Sequence, residues 1–567
     1  MFPDFRITEK IATFIAILPP NLKTDFMLRN RPVQVILIFI AIVALWSYFA
    51  GLTIDVTRDA GKYATISKEV FQNGNYINLT VHGDAYDQKP PLLFWLGALG
   101  FAIGGVSNFW FKLPVLLLVF AGFYWAYQLG KSLYNKRVGI LTAVFLAFST
   151  MYMLYSMDIH ADTPLQAFIT LALWQLFEFL KTGKNKNWFW GFVAVGLAML
   201  SKGPIGAAIP AFAVVGHILL KNDFRKLTDW HWYAGVVLAF LVASPALIGL
   251  MNQFGWDGIR FFFWENNVGR ITGTYIKAKN DPFFYFHNLA FLFLPWVLVF
   301  FISVYKEFNL LIKNKFRTGE YFTFAGIWIY FIIISTSSNQ APNYIFPIFP
   351  LIAVITAKWT DIALESNDKL ALLFSRIQLF VVVAVWAMIG ILAFYLFPKP
   401  NLLFAIVAVI SIAATIYIIF SENDSITGMI LPSLLAFSVL MFLLNTHVFR
   451  FIFSHQAPPE AARFYNSHAE PGEKLYNYKY PQYELFFYSE PQAEQLKTED
   501  ELKTVVAGKG NWIFTNPVGL TEYEKIRVLP DTIIEYKHLY LNRGGKFINP
   551  KTRDEVLQPM YLIKILK

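Results

Sequence analysis

Long apolar runs separated by short polar stretches fill most of the chain. Runs near 33–53, 109–130, 138–156, 163–180, 188–201, 205–220, 232–251, 288–305, 321–335, 344–357, 377–397, 401–420 and 427–445 approach the length of about 20 residues that crosses a bilayer. The pattern therefore predicts roughly thirteen transmembrane helices, those at 188–201, 205–220 and 344–357 being short. Residues 92–105 are apolar but too short to span, and predict a helix lying at the interface. Residues 1–31, with Arg6, Lys10, Lys23, Arg29 and Arg31, read as a short amphipathic lead at the cytosolic surface.

From residue 446 the pattern changes to charged sequence of mixed period. E-A-A-R-F-Y reads as helix, E-K-L-Y-N-Y as strand, T-E-D-E-L-K-T-V-V as a helix opened by a capping box, and N-W-I-F-T as strand. D-T-I-I-E-Y and M-Y-L-I-K-I-L are further strands. At about 120 residues this part is long enough to bury its own core. The expected division is a membrane domain over 1–445 and a small α/β domain over 446–567.

Lys and Arg set the orientation. The lead, Lys131/Lys136/Arg137, Lys181/Lys184/Lys186, Lys221/Arg225/Lys226 and Lys306/Lys313/Lys315/Arg317 fall on one side by parity, the cytoplasm. An odd number of crossings then puts 446–567 outside. The same parity sends the loop at Asp59, the turn 158–162, the turn 201–204, the loop 253–287 and the turn 336–343 to the outer side. Every unusual polar cluster faces one compartment, as a single outward-facing site would require.

Composition agrees: the chain is 56% hydrophobic and 15% charged, where soluble domains run near ~25% charged. It has no cysteine, which excludes disulfides and thiolate chemistry. The net charge of +10 does not point to nucleic acid, because the basic residues are spread over membrane loops. The start M-F-P-D-F-R predicts no cleaved signal peptide.

The outer loop 59–91 holds the first candidates. Asp59 in D-A-G-K-Y-A reads either as a helix N-cap or as a carboxylate that orients or deprotonates an acceptor. Lys89, framed by Pro90 and Pro91, reads either as a lysine snorkelling to the interface or as a point charge for phosphate. Asp158, His160 and Asp162 have the density of metal ligands, although a helix start also favours Asp. Lys202 sits in a tight turn on the same side, and Arg270 follows an aromatic interfacial stretch where a guanidinium suits a lipid phosphate. There is no Walker A, G-x-G-x-x-G or H-E-x-x-H pattern. An enzyme working outside the cytoplasm, without nucleotide-activated donors, would draw on one built on a lipid.

These motifs resemble a known family. D-A-G-K-Y-A resembles the D-E-x-R-Y-A signature of the bacterial lipid A aminoarabinose transferases, which stand with the protein O-mannosyltransferases among the polyprenyl-phosphate-dependent glycosyltransferases of GT-C fold. A-Y-D-Q-K-P-P-L-L-F-W is similar to Y-F-E-K-P-P-L-x-Y-W, H-A-D-T-P-L to R-x-D-x-x-L, L-S-K-G-P to L-x-K-G-P, and A-P-N-Y-I-F-P to K-L-P-x-Y-x-L-P. F-F-F-W-E-N-N-V-G-R and F-L-P-W match in order as well. The chain departs from the pattern at Ala60, Lys62, Gln88 and Gln340, where the family has Glu, Arg, Glu and Lys.

The resemblance implies a GT-C membrane protein with a C-terminal periplasmic α/β domain in the bacterial inner membrane. It implies Asp59 as the catalytic carboxylate and Asp162 as a second one. Lys89, Arg270, Lys202 and Tyr344 would surround the donor phosphate, with Lys62, Tyr63, Tyr86 and Gln88 supporting the acceptor or the loop. Its partners would be a polyprenyl-phosphate-linked sugar, a lipid or protein acceptor and membrane lipids, with no nucleic acid. A divalent metal on Asp158, His160 and Asp162 is left open, and Ala60 and Gln88 remove two carboxylates that would favour one. The rival class, a transporter, would show inverted repeats and polar breaks at mid-membrane; the polar clusters lie at one face instead. A purely structural role would leave Asp59, Lys89 and Arg270 without a purpose.

Overall fold

The apolar runs fold as helix, the runs 138–156 and 288–305 being broken at 148–149 and at 293–296. A computed structural model describes residues 31–274, 280–316, 319–366, 369–421, 425–508 and 510–566. The lead with Arg6, Lys10, Lys23 and Arg29 lies outside these, as do Arg317 and part of the 253–287 loop. The first eight described helices are α1 (Arg31–Gly51), α2 (Arg58–Asn73), α3 (Leu92–Gly104), α4 (Asn108–Leu133), α5 (Lys136–Ala147), α6 (Thr150–Met157), α7 (Asp162–Thr182) and α8 (Asn185–Lys202). Among the described residues, seven helical stretches are long and apolar enough to cross a membrane, or eight if α5 and α6, bent by 52°, form one span. The chain is a multi-pass membrane protein.

Local chemistry sets the helix ends. The Ser107 side chain accepts from the Trp110 amide at the start of α4, and Asn135 accepts from the Val138 amide at the start of α5. Gly74 ends α2 in the left-handed region, φ 66°. The interfacial helix expected at 92–105 is α3. It lies against α4 so closely that a Cβ on Gly100 would fall 1.8 Å from the Trp110 carbonyl oxygen.

The polar loop between α2 and α3 carries a short hairpin, β1 (Thr80–Val81) and β2 (Asp84–Ala85). His82 and Gly83 turn it with φ of 56° and 78°, as the right-handed twist of a two-residue hairpin demands.

The C-terminal part holds a mixed sheet of β3 (Leu475–Tyr478), β4 (Glu494–Leu496), β5 (Trp512–Thr515), β6 (Pro530–His538) and β7 (Gln558–Ile565) in the order β4-β3-β5-β7-β6. β3 runs parallel to β4 and β5, β7 antiparallel to β5, and β6 antiparallel to β7. The expected capping box is present, with Thr498 and Glu501 bonded reciprocally at the start of helix Glu499–Ala507. Two clusters of buried side chains lie within this part, one around Tyr465, Trp512 and Leu562, the other around Leu502, Ile513 and Ile563.

This sheet region also grips the outer loop. Phe487 joins Tyr63, Phe94, Phe101 and Phe111 in one apolar cluster. Lys68, on α2, is buried, and its Nζ donates to the carbonyl oxygens of Phe486 (3.3 Å), Phe487 (3.2 Å) and Ser489 (2.7 Å). Lys68→Met keeps the length but leaves these acceptors without their donor, which costs about 1–3 kcal/mol. A lowered melting temperature in detergent, with faster proteolysis of the 457–566 region, is the expected result.

Candidate active site

The candidate residues form two groups that meet at Lys89. The first group is on α2 and the loop before α3. Thr57 is the cap residue of α2, and Asp59 lies in its first turn, so the cap position is not Asp59's. The Asp59 side chain is 58% exposed, 3.9 Å from the Lys62 ammonium one turn on. Lys62 donates to the Gln88 side chain (3.4 Å) and lies 5.4 Å over the Tyr483 ring. The Gln88 carbonyl accepts from Lys89 Nζ (3.2 Å) and from Asn266 (3.0 Å), tying this loop to the segment before Arg270. Tyr63 and Tyr86 are buried and pack edge-on or tilted against Phe94, supporting the loop from beneath.

The second group gathers at the ends of α7 and α8. Asp162 opens α7, is 2% exposed, and accepts from Lys202 (2.5 Å) and Asn343 (2.8 Å). Lys202 closes α8, where the turn passes through Gly203 at φ 85°. A Cβ there would meet the Phe262 ring at 2.8 Å, so the turn needs glycine. Lys202 lies 4.7 Å over the Tyr344 ring, and the Tyr344 hydroxyl accepts from Arg270 (3.4 Å) and Asn339 (3.3 Å). Asp162, Lys202, Arg270 and Tyr344, far apart in sequence, are thus one contact network.

Lys89 stands between the groups. Burial, then the neighbouring Lys202 and Arg270 charges, push its ammonium down to about 7. Lys89 also lines a cleft with Tyr86, Asp87, Pro90, Leu250 and Phe262. Lys202 and Arg270 act on Lys89 against the opposing charge of Asp162, and an added anion would relieve the repulsion between the cations.

The metal expectation does not gather. His160 pairs with Asp158 at 3.2 Å, while Asp162 is turned to Lys202 and Asn343. Among the described residues no three His, Asp or Glu side chains cluster as metal ligands, and the donor set does not fit a divalent ion. Sequence reading passed over Asn343, Asn266 and Asn339. Asn343 and Asn266 lie inside the A-P-N-Y-I-F-P and F-F-F-W-E-N-N-V-G-R motifs, which point first to Tyr344 and Arg270; Asn339 carries no signal beyond its place four residues before Asn343.

Residues 88–248 match the family described as dolichyl-phosphate-mannose-protein mannosyltransferase. The crystal structure of ArnT from Cupriavidus metallidurans bound to undecaprenyl phosphate superposes with a TM-score of 0.73 at 16% identity, covering 94% of this chain and 98% of that one. The chain shares the fold of that structure. Among its sequence relatives, an undecaprenyl phosphate-alpha-4-amino-4-deoxy-L-arabinose arabinosyl transferase of Proteus mirabilis is 24% identical over 63% of the chain and 65% of its own length. An uncharacterized protein of Aquifex aeolicus is 28% identical over 60% of the chain and 66% of its own length. The chain thus spans just under two thirds of these curated relatives. The resemblance read from the motifs points to the same proteins that these matches find.

The buried Asp162–Lys202 pair gives a direct test of the second group. Lys202→Met strands the Asp162 charge and is expected to destabilise by about 3–5 kcal/mol. Adding Asp162→Asn removes that charge, and most of the lost thermal stability in detergent should return.

Proposed function

We propose that this chain is an integral-membrane glycosyltransferase that moves a sugar from a polyprenyl-phosphate donor to an envelope acceptor, a lipid A-like glycolipid, at the periplasmic face of the bacterial inner membrane. The observation that carries the reading is the contact network in which Lys202 and Arg270 meet at Tyr344, while Lys89 is tied through the Gln88 carbonyl to Asn266, four residues before Arg270. In the transfer, the bond from the anomeric carbon to the phosphate oxygen breaks and one to the acceptor oxygen forms. The leaving phosphate keeps the electron pair and stays on its lipid. Lys89 and Arg270 stabilise the growing charge, with Lys202 and Tyr344 holding their places, which is the electrostatic term catalysis gains most from. Asp59 orients an acceptor hydroxyl and takes its proton as the new bond forms; for a phosphate acceptor it acts by orientation alone. The matched mannosyltransferase description favours a second reading, in which the acceptor is a protein or another envelope glycan.

The same reading divides the chain into a membrane domain over 1–445, with roughly thirteen crossings, and a periplasmic α/β domain over 446–567. Charge bias and odd parity support an inside N-terminus. Reporter fusions at Arg225 and at Lys567 should report opposite compartments; one compartment for both would overturn the topology.

The chemistry is tested by separating Asp59 from Lys89. Asp59→Asn should lower single-turnover transfer by about 10² or more while donor binding persists, and Lys89→Ala should weaken both. Because the Lys89 ammonium is pushed down to about 7, its charge is present below that pH and lost above it. Affinity for a phosphodiester donor should therefore fall as pH rises from 6 to 8.5 in nanodiscs, by at most ~10-fold per unit. Lys89→Arg, whose charge does not titrate there, should flatten the profile. Normal transfer by Asp59→Asn would remove its catalytic role.

A further inference from the structure

The segment before Asp59 is tied to distant parts of the chain. α1 ends at Gly51 and α2 begins at Arg58; the Leu52, Thr53 and Ile54 amides close on α1 carbonyls, and side chains from elsewhere hold the backbone from Gly51 to Arg58 as well. Lys112, on α4, donates to the Gly51 (3.3 Å) and Ile54 (2.8 Å) carbonyl oxygens. The Asp55 carboxylate accepts from Asn108 (2.9 Å) and pairs with Arg463. Arg450 donates to the Thr53 hydroxyl (2.6 Å), and two further ties come from helix Glu484–Tyr488, more than four hundred residues away. The Val56 amide donates to the Tyr488 hydroxyl (2.8 Å). That hydroxyl's proton lies within reach of Asn108 Oδ1 (2.6 Å) and Asp55 Oδ1 (3.2 Å), and the Arg463 guanidinium lies 5.1 Å over the Tyr488 ring. The Arg58 amide donates to the Glu484 carboxylate (2.5 Å).

Two further features show how closely this contact is fitted. Thr57, the cap residue of α2, makes no side-chain cap bond, so Glu484 supplies from afar the acceptor that a helix start normally has locally. A Cβ on Gly61 would come within 3.2 Å of the Glu484 side chain, so Gly61 leaves room for it. Arg58 itself is held at φ 49°, a left-handed conformation that is uncommon outside glycine. Strain of this kind persists where surrounding contacts over-determine it, and Asp59 is the next residue.

We propose that Tyr488 and Glu484 are positioning residues for the Asp59 carboxylate, so that the C-terminal part forms one wall of the transfer site. The proposal rests on the reading of Asp59 given under Proposed function. Tyr488 fixes the approach at Val56, Glu484 fixes the first turn of α2 at Arg58, and Asp59 is aimed from these two points. Their loss leaves the donor side, built on Lys89, Lys202 and Arg270, in place.

The test uses the full chain in nanodiscs, with single-turnover transfer and donor binding measured separately. Tyr488→Phe keeps the ring and removes the hydroxyl. Transfer should fall ~10-fold, the scale of a small misplacement of a reacting group, with donor affinity unchanged. In an Asp59→Asn background the same substitution should cost nothing more, because there is no carboxylate left to aim. A multiplicative loss in the double variant, or no loss in the single one, overturns the proposal. Should Tyr488→Phe fail to fold, Glu484→Leu carries the same two-step test, and Glu484→Gln, which keeps an oxygen for the Arg58 amide, should recover most of the lost rate. Failure of that recovery counts against positioning. Normal transfer by Asp59→Asn alone would refute the catalytic reading of Asp59, an outcome visible before the double variant is made.

Discussion

Like charges forced together at a membrane surface are the constraint on which this structure turns. Burial first, and then the Lys202 and Arg270 charges, hold the Lys89 ammonium down to about 7. Asp162 meets part of that charge through its contact with Lys202. Repulsion of this kind destabilises the empty site and is relieved when an anion enters, so it converts folding energy into affinity. The helices that supply these groups begin or end where the groups stand: α7 starts at Asp162 and α8 stops at Lys202. Long apolar elements thus carry these charges at their ends, and not along their lengths, where burial in a bilayer would be costly.

The acceptor side is built differently. Asp59 is exposed and carries one weak contact, to Lys62. Its position depends on backbone held by residues from α4 and from the C-terminal part. The Lys202 group is therefore held through its own ion pair and turn, whereas the Asp59 loop is held through contacts from α4 and the C-terminal part. One consequence is separability: substitutions on one side should leave the other side's binding largely intact.

Much of this was legible in the sequence, for physical reasons that can be named. Apolar runs of spanning length leave the backbone few options besides helix, and the runs are helical apart from the breaks at 148–149 and 293–296. The capping box at Thr498 and Glu501 and the alternating strands β3, β5, β6 and β7 follow from local pattern. β4, three residues at the sheet edge, was too short to leave a period. Asp59 was open between cap and carboxylate because both readings need the same residue at the same place, and the geometry of Thr57 separates them. Asp158, His160 and Asp162 looked like a ligand set because they are close in sequence. Asp162 instead faces Lys202 and Asn343, partners 40 and 181 positions on. Glu484 and Tyr488 were invisible, since a contact across 426 or 432 positions leaves no mark in local pattern.

The central claim is that the convergent cations hold a lipid phosphate, and cryo-EM of the full chain in nanodiscs with a polyprenyl-phosphate sugar tests it most directly. The account predicts phosphate density within hydrogen-bond reach of both Lys89 Nζ and the Arg270 guanidinium, with the lipid chain leaving through the cleft lined by Pro90, Leu250 and Phe262. Phosphate density at another site, with Lys89 and Arg270 facing only solvent and protein, would contradict it.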